Sequence, residues 1–218
     1  MKKYNAIIWD LDGTLLDTLE DLMDAVNYAL KQQHFPEKTL EEIRTFVGNG
    51  VRNLMIKAVP EGESNPKFEE TFTMFKEYYD AHNMVKTKPY DGIMDCLKQY
   101  NEAGIPMAIV TNKIQSAAEM LRENVFEGMI PLAIGDGEAP ARKPNPAGVL
   151  MAMEKLDTTK GYNVVYIGDS EVDAATAENA GLDCILCKWG FRDAEDLEKL
   201  PHVALVSKPS EITSFIDI

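Results

Sequence analysis

The chain has 218 residues, 45% apolar and 27% charged, a globular composition that excludes wholesale disorder and suits one large domain or a domain with an insertion. Its 36 acidic and 22 basic side chains give a formal net charge of −14. That excludes nucleic acid as the main partner, since a phosphate backbone needs a basic footprint, but a small phosphorylated substrate remains compatible if a metal and a few basic groups gather locally. No run of about 18 apolar residues occurs, so no membrane span is expected. The opening MKKYNAIIWDLDGT turns acidic where a signal peptide would stay apolar, and a cytoplasmic protein is expected.

Short apolar runs ending in a polar residue or glycine cover residues 4–10, 106–112, 131–136, 163–169, 183–188 and 203–207. Continuous Val/Ile/Leu runs without alternation predict strands covered on both faces, hence a parallel sheet. Helical patterns lie between them at 93–103, 115–124, 146–155 and 173–179, the first closed by Gly104 and the last by Gly181. The alternation predicts an α/β fold with a doubly wound, Rossmann-like parallel-sheet core, whose ligand site lies beyond the carboxyl ends of the strands. From 16 to 86 no convincing strand appears. Leu19, Leu22, Met23, Val26, Ala29 and Leu30 keep a helical period, and Phe68, Phe72, Phe75, Tyr78 and Tyr79 form a second stripe, expected to be helix–helix core. The expected division is therefore an α/β core of 1–15 and 87–218 with an inserted all-helical cap at 16–86, which could close over the site and expel water. Cys184 and Cys187 form a CxxC, but three apart on a strand they point to opposite faces, so they and Cys96 are expected to be core residues.

The strand ends carry the chemistry. Asp10 and Asp12 close the first run in WDLDGT, and two close carboxylates invite a hard divalent cation such as Mg²⁺. A carboxylate can also attack phosphorus while a second one handles the leaving group's proton. The second run ends in Thr111-Asn112-Lys113, read as a hydroxyl and backbone N–H groups at a helix start, a cradle for phosphoryl oxygens. The third is followed by Arg142-Lys143-Pro144, where a lysine can meet a phosphate or aspartate charge. The fourth ends in GDSEVD, bringing Asp169 and Asp173 to the same edge.

The set Asp10-x-Asp12-Gly-Thr14, Thr111, Lys143-Pro144 and Gly168-Asp169-Ser170-x-x-Asp173 resembles the four motifs of the haloacid dehalogenase superfamily, and the helical insert resembles its first type of cap. The resemblance implies Asp10 as nucleophile and Asp12 as general acid, then base. Thr111 and Lys143 would hold phosphoryl oxygens, with Asn112 also binding the substrate and Lys143 also pairing with Asp10. Mg²⁺ would be held by Asp10, the backbone carbonyl of Asp12 and Asp169, with Asp173 and Thr14 supporting the ligands from behind. Superfamily members that displace halide lack the second aspartate, so Asp12 implies phosphoryl transfer. Within the superfamily DGTLLDT (12–18), VGNGVR (47–52), PYDG (89–92) and TNK (111–113) resemble the phosphoglycolate phosphatases. Arg52 could pair with a substrate's anionic tail or be a surface arginine at a helix start; both readings stand. The resemblance implies a monomeric or homodimeric phosphatase for a small phosphomonoester, 2-phosphoglycolate first. Alternatives are a pyrophosphatase, a sugar-phosphate phosphatase or phosphomutase, and, from another class, a phospho-acceptor signalling module.

Overall fold

The six apolar runs form one sheet in a computed structural model that describes residues 3–218. The strands are β1 (Ala6–Trp9), β4 (Met107–Ile114), β5 (Leu132–Asp136), β6 (Val164–Gly168), β7 (Asp183–Cys187) and β8 (Ala204–Val206); two short strands, β2 (Leu16–Asp17) and β3 (Lys88–Pro89), pair separately. The order is β5-β4-β1-β6-β7-β8, every neighbouring pair parallel. From β1 the chain builds outward first to one side and then to the other, so the order reverses at β1, where β4 and β6 flank it. In such sheets a crevice opens at that reversal, outside the carboxyl ends of the strands.

Helices α5 (Ile93–Glu102), α6 (Gln115–Val125), α7 (Ala147–Lys155), α8 (Glu171–Ala180) and the short α9 (Ala194–Leu197) connect these strands. The buried side chains divide by strand alternation into two layers. Ile7, Trp9, Ile109, Val165, Ile185 and Cys187 lie in one, and Ala6, Ile8, Val110, Tyr166, Cys184 and Leu186 in the other. The CxxC thiols thus sit in different layers, and burial pushes both up from the ordinary thiol range, leaving them protonated core groups.

The chain folds as two units. One runs to Leu16 and resumes over Pro89–Ile218; the other is Asp17–Lys88. The second is built from α1 (Leu19–Gln32), α2 (Leu40–Phe46), α3 (Val51–Ala58) and α4 (Phe68–His82). Thr39 and Glu42 cap α2 reciprocally, each side chain meeting the other's backbone N–H. Phe68, Phe72, Phe75 and Tyr79 form the buried stripe of α4, while Tyr78 leaves it to stack between Tyr28 and His82. Buried Asp21 on α1 accepts the N–H groups of Lys86 and Thr87 at 2.9–3.0 Å, fastening the end of the unit to its first helix. Among the described residues no helix is long and apolar enough to cross a membrane.

Candidate active site

Asp10 follows β1 directly, and its N–H donates to the carbonyl of Ile167 on β6. The next turn needs Gly13, whose φ of +88° is disfavoured for side chains and whose missing Cβ would run into the Asp169 carboxylate. The loop can therefore lie against the end of β6. There Asp10, Asp169 and Asp173 are all buried, each offering a carboxylate oxygen within 4.8 Å of the others.

Lys143 binds this cluster together. Its Nζ lies 2.7 Å from Asp10 Oδ1, 2.8 Å from Asp173 Oδ1 and 3.0 Å from the Tyr166 hydroxyl, three acceptors for the three protons of an ammonium. Burial alone would discharge it, but Asp10 and Asp173 hold its pKa well above the usual lysine value. Asn112 fixes the lysine's backbone from both sides, accepting from the Lys143 N–H at 2.8 Å and donating to the Lys143 carbonyl at 3.2 Å. Its side-chain amide thus ties the tip of β4 to the loop carrying Lys143.

Asp173 plays a different part from the other two carboxylates. Its Oδ2 accepts from the N–H of Asp169, the N–H of Ser170 and the Ser170 hydroxyl, and its Oδ1 from Lys143 and Tyr166. Both its oxygens are thus held by donors of the protein, although the Tyr166 hydroxyl also has the Val110 carbonyl at 3.2 Å. Burial would raise its pKa, but Lys143 and these donors hold it below the carboxylate range. Asp10 and Asp169 go the other way. Burial, then the Asp173 charge, pushes Asp10 well up and Asp169 to about 7. Asp169 keeps two donors, the Thr14 hydroxyl at 3.3 Å and the Phe191 N–H at 2.7 Å. Three buried carboxylates against one ammonium leave an excess of negative charge. Oxygen ligands with that excess fit a hard divalent cation.

The second strand end differs from expectation. The strand runs two residues beyond the expected end at 112: β4 continues to Ile114, with a register shift after Val110 that pairs Ile114 with Asp136, and α6 starts at Gln115 as expected. Thr111 stays buried at this tip, its hydroxyl accepting from the Lys113 N–H at 3.2 Å. Lys113 reaches Asp12, its Nζ 2.9 and 3.0 Å from the two carboxylate oxygens. Arg52 lies in the helical unit, where Glu63 and Glu69 take up its guanidinium over the rings of Phe68 and Phe72.

Two parts of the site were not anticipated. One is Lys113. The other is the segment after β7, residues 188–192. Trp189 Nε1 donates to the Thr14 carbonyl at 3.1 Å, and a Cβ on Gly190 would strike Asp169 and the Gly13 carbonyl. Phe191 donates to Asp169, and Arg192 grips Glu171 of α8 at 2.7 and 2.9 Å. Its sequence signal was its position, a fifth strand end on the same edge.

A parallel sheet with paired aspartates after its central strand, a buried lysine and an acidic loop after the next strand defines one class of protein. The chain belongs to the haloacid dehalogenase-like hydrolase family, whose sequence model matches residues 7–187. Among its relatives, it is 34% identical over 203 residues to the phosphoglycolate phosphatase of Rhodobacter capsulatus, covering 91% of this chain and 90% of that one. It is 35% identical over 219 residues to the phosphoglycolate phosphatase of Cereibacter sphaeroides strain ATCC 17025, covering 96% of each. A crystal structure from Lactobacillus delbrueckii subsp. bulgaricus, of a protein assigned but not established as a phosphoglycolate phosphatase, superposes with a TM-score of 0.92. It is 32% identical and covers 99% of this chain and 100% of that one.

Proposed function

We propose that this hydrolase, a phosphatase acting on phosphoric monoesters, cleaves 2-phosphoglycolate by Mg²⁺-assisted transfer of the phosphoryl group to Asp10. The observation that carries the reading is the buried cluster in which Lys143 spans Asp10 and Asp173 at 2.7 and 2.8 Å. An ammonium there holds the nucleophile and sets a positive charge beside the phosphoryl oxygens that arrive, to which it can turn a proton now given to Tyr166.

Asp10, Asp169 and the backbone carbonyl of Asp12 would hold Mg²⁺. When bound, the ion supplies charge neutralisation between the Asp10 carboxylate and an anionic phosphoryl group. An Asp10 oxygen attacks phosphorus, forming an acyl phosphate as the ester P–O bond breaks; the leaving alkoxide takes a proton from Asp12. Asp12, now a carboxylate, takes a proton from a water that attacks the same phosphorus, returning Asp10 and releasing phosphate. Thr111 and Lys143 hold the phosphoryl oxygens. Asn112 acts through the backbone of Lys143, and Asp173 and Thr14 orient Lys143 and Asp169. In this reading Asp17–Lys88 is the cap, and the substrate is a small phosphorylated molecule, not nucleic acid or membrane.

The choice of 2-phosphoglycolate is supported by relatives carrying that name over nearly the whole chain. It is tested by phosphate release with Mg²⁺ from 2-phosphoglycolate, a panel of sugar and aryl phosphates, and pyrophosphate. A kcat/KM on 2-phosphoglycolate at least about tenfold above the rest, or roughly 1.4 kcal/mol, is expected. A flat profile or another favourite would keep the phosphatase chemistry and remove that substrate.

A further inference from the structure

The two aspartates after β1 are each paired with a buried lysine. Lys143 takes Asp10; Lys113, reaching across from the tip of β4, takes both oxygens of Asp12. The Lys113 side chain is 3% exposed and that of Asp12 22%. Burying an ammonium costs free energy that an apolar side chain of similar volume would not, so its presence is better explained by what it orients than by stability. The carboxyl torsion of an aspartate is soft, and Asp12 lies at an isolated bridge to Leu16 beside the turn at 13–15, outside the regular strand β1. A cation placed across both its oxygens selects one orientation. The Lys113 backbone is itself fixed, its N–H donating to the Thr111 hydroxyl.

We infer that Lys113 is a positioning residue that aims the Asp12 carboxyl at the leaving-group side of the phosphoryl group, and so governs turnover of substrates whose leaving group needs a proton. This rests on the proposed role of Asp12. The consequence is selective. The alkoxide of 2-phosphoglycolate is a poor leaving group and needs the proton; the p-nitrophenolate of an aryl phosphate leaves without it. Misplacing an acid by about 1 Å costs about a hundredfold. That loss falls on the first half-reaction only for the alkyl ester, whereas the second half-reaction, in which Asp12 activates water, slows for both.

The test uses the full chain with Mg²⁺ and the variants Lys113→Met, Lys113→Arg, Asp12→Asn and the double variant Asp12→Asn/Lys113→Met. For Lys113→Met, single-turnover phosphorylation by 2-phosphoglycolate should fall about a hundredfold or more. The p-nitrophenolate burst should keep its rate to within about threefold, with acyl phosphate accumulating behind it. Lys113→Arg should restore at least about tenfold of the loss, and in the Asp12→Asn background Lys113→Met should add nothing. That double variant removes one charge of each sign, so the comparison stands even if Lys113→Met alone folds poorly. Equal losses of phosphorylation rate on both esters, no loss on either, or an added loss in the Asp12→Asn background would overturn the inference. A wild-type protein that releases phosphate from no ester would instead overturn the phosphatase reading beneath it.

Discussion

At Lys143 one ammonium answers two buried carboxylates and a phenol, and each of the three depends on it. Replacing it with methionine leaves Asp10, Asp169 and Asp173 buried without a cation. Breaking one side of a buried pair costs about 3–5 kcal/mol, so Lys143→Met should melt well below the wild type in the metal-free state as well as losing turnover. An unchanged melting temperature would mean that the cluster is solvated. Arg52 gives the opposite expectation. Its guanidinium is held by two exposed glutamates, and surface pairs of that kind contribute little. Arg52→Ala should therefore leave stability nearly unchanged and alter kcat/KM for 2-phosphoglycolate and an aryl phosphate by the same factor. A loss confined to 2-phosphoglycolate would show that Arg52 leaves its glutamates to bind the substrate's carboxylate.

Among the elements, the loop of residues 188–192 behaves as a strap across two others. It donates from Trp189 to the Thr14 carbonyl and from Phe191 to Asp169, and it closes on α8 through Arg192. Gly190→Ala would push a methyl group against the Asp169 carboxylate and the Gly13 carbonyl. Partners that orient metal ligands are worth about 10–100-fold in affinity, so Mg²⁺ binding measured by calorimetry should weaken by about tenfold. Unaltered affinity would show that the strap yields. The strap and Lys113 also mark where the sequence was hard to read. The strands were legible because each is a continuous apolar run, and Asp10, Lys143 and Asp169 because strand ends are where such sheets bind ligands. Residues 188–192 sit at an equivalent strand end, but their partners are a backbone carbonyl and the buried Asp169 carboxylate, contacts that leave no trace in residue type. Lys113 was obscured by the length of the strand. The apolar run stops at residue 112, whereas β4 continues through Ile114 and carries the lysine to Asp12.

For the whole molecule, the reversal of strand order at β1 sets three carboxylates in one buried place, and charge balance there couples folding to pH. Without a metal, burial and then the Asp173 charge push Asp169 up to about 7 from a usual 3.8, and Asp10 is raised as well. Between those values the folded state holds protons that the unfolded chain has released, so metal-free stability falls as pH rises through that window. Mg²⁺ held by Asp10 and Asp169, as proposed, would compete with the same protons. Its stabilisation, read as the rise in melting temperature on adding the ion, should accordingly be larger at about pH 8 than at about pH 5. An equal rise at both would place the ion elsewhere. The central claim, that the phosphoryl group passes through Asp10, is tested most directly by acid-quenching the enzyme during turnover of 2-phosphoglycolate. Borohydride then reduces any acyl phosphate, and the peptide containing residue 10 is sequenced by mass spectrometry. The account predicts homoserine at position 10 in the wild type and none in Asp10→Asn, which should also lose turnover. Homoserine at another aspartate, or steady turnover with residue 10 unmodified, would contradict it.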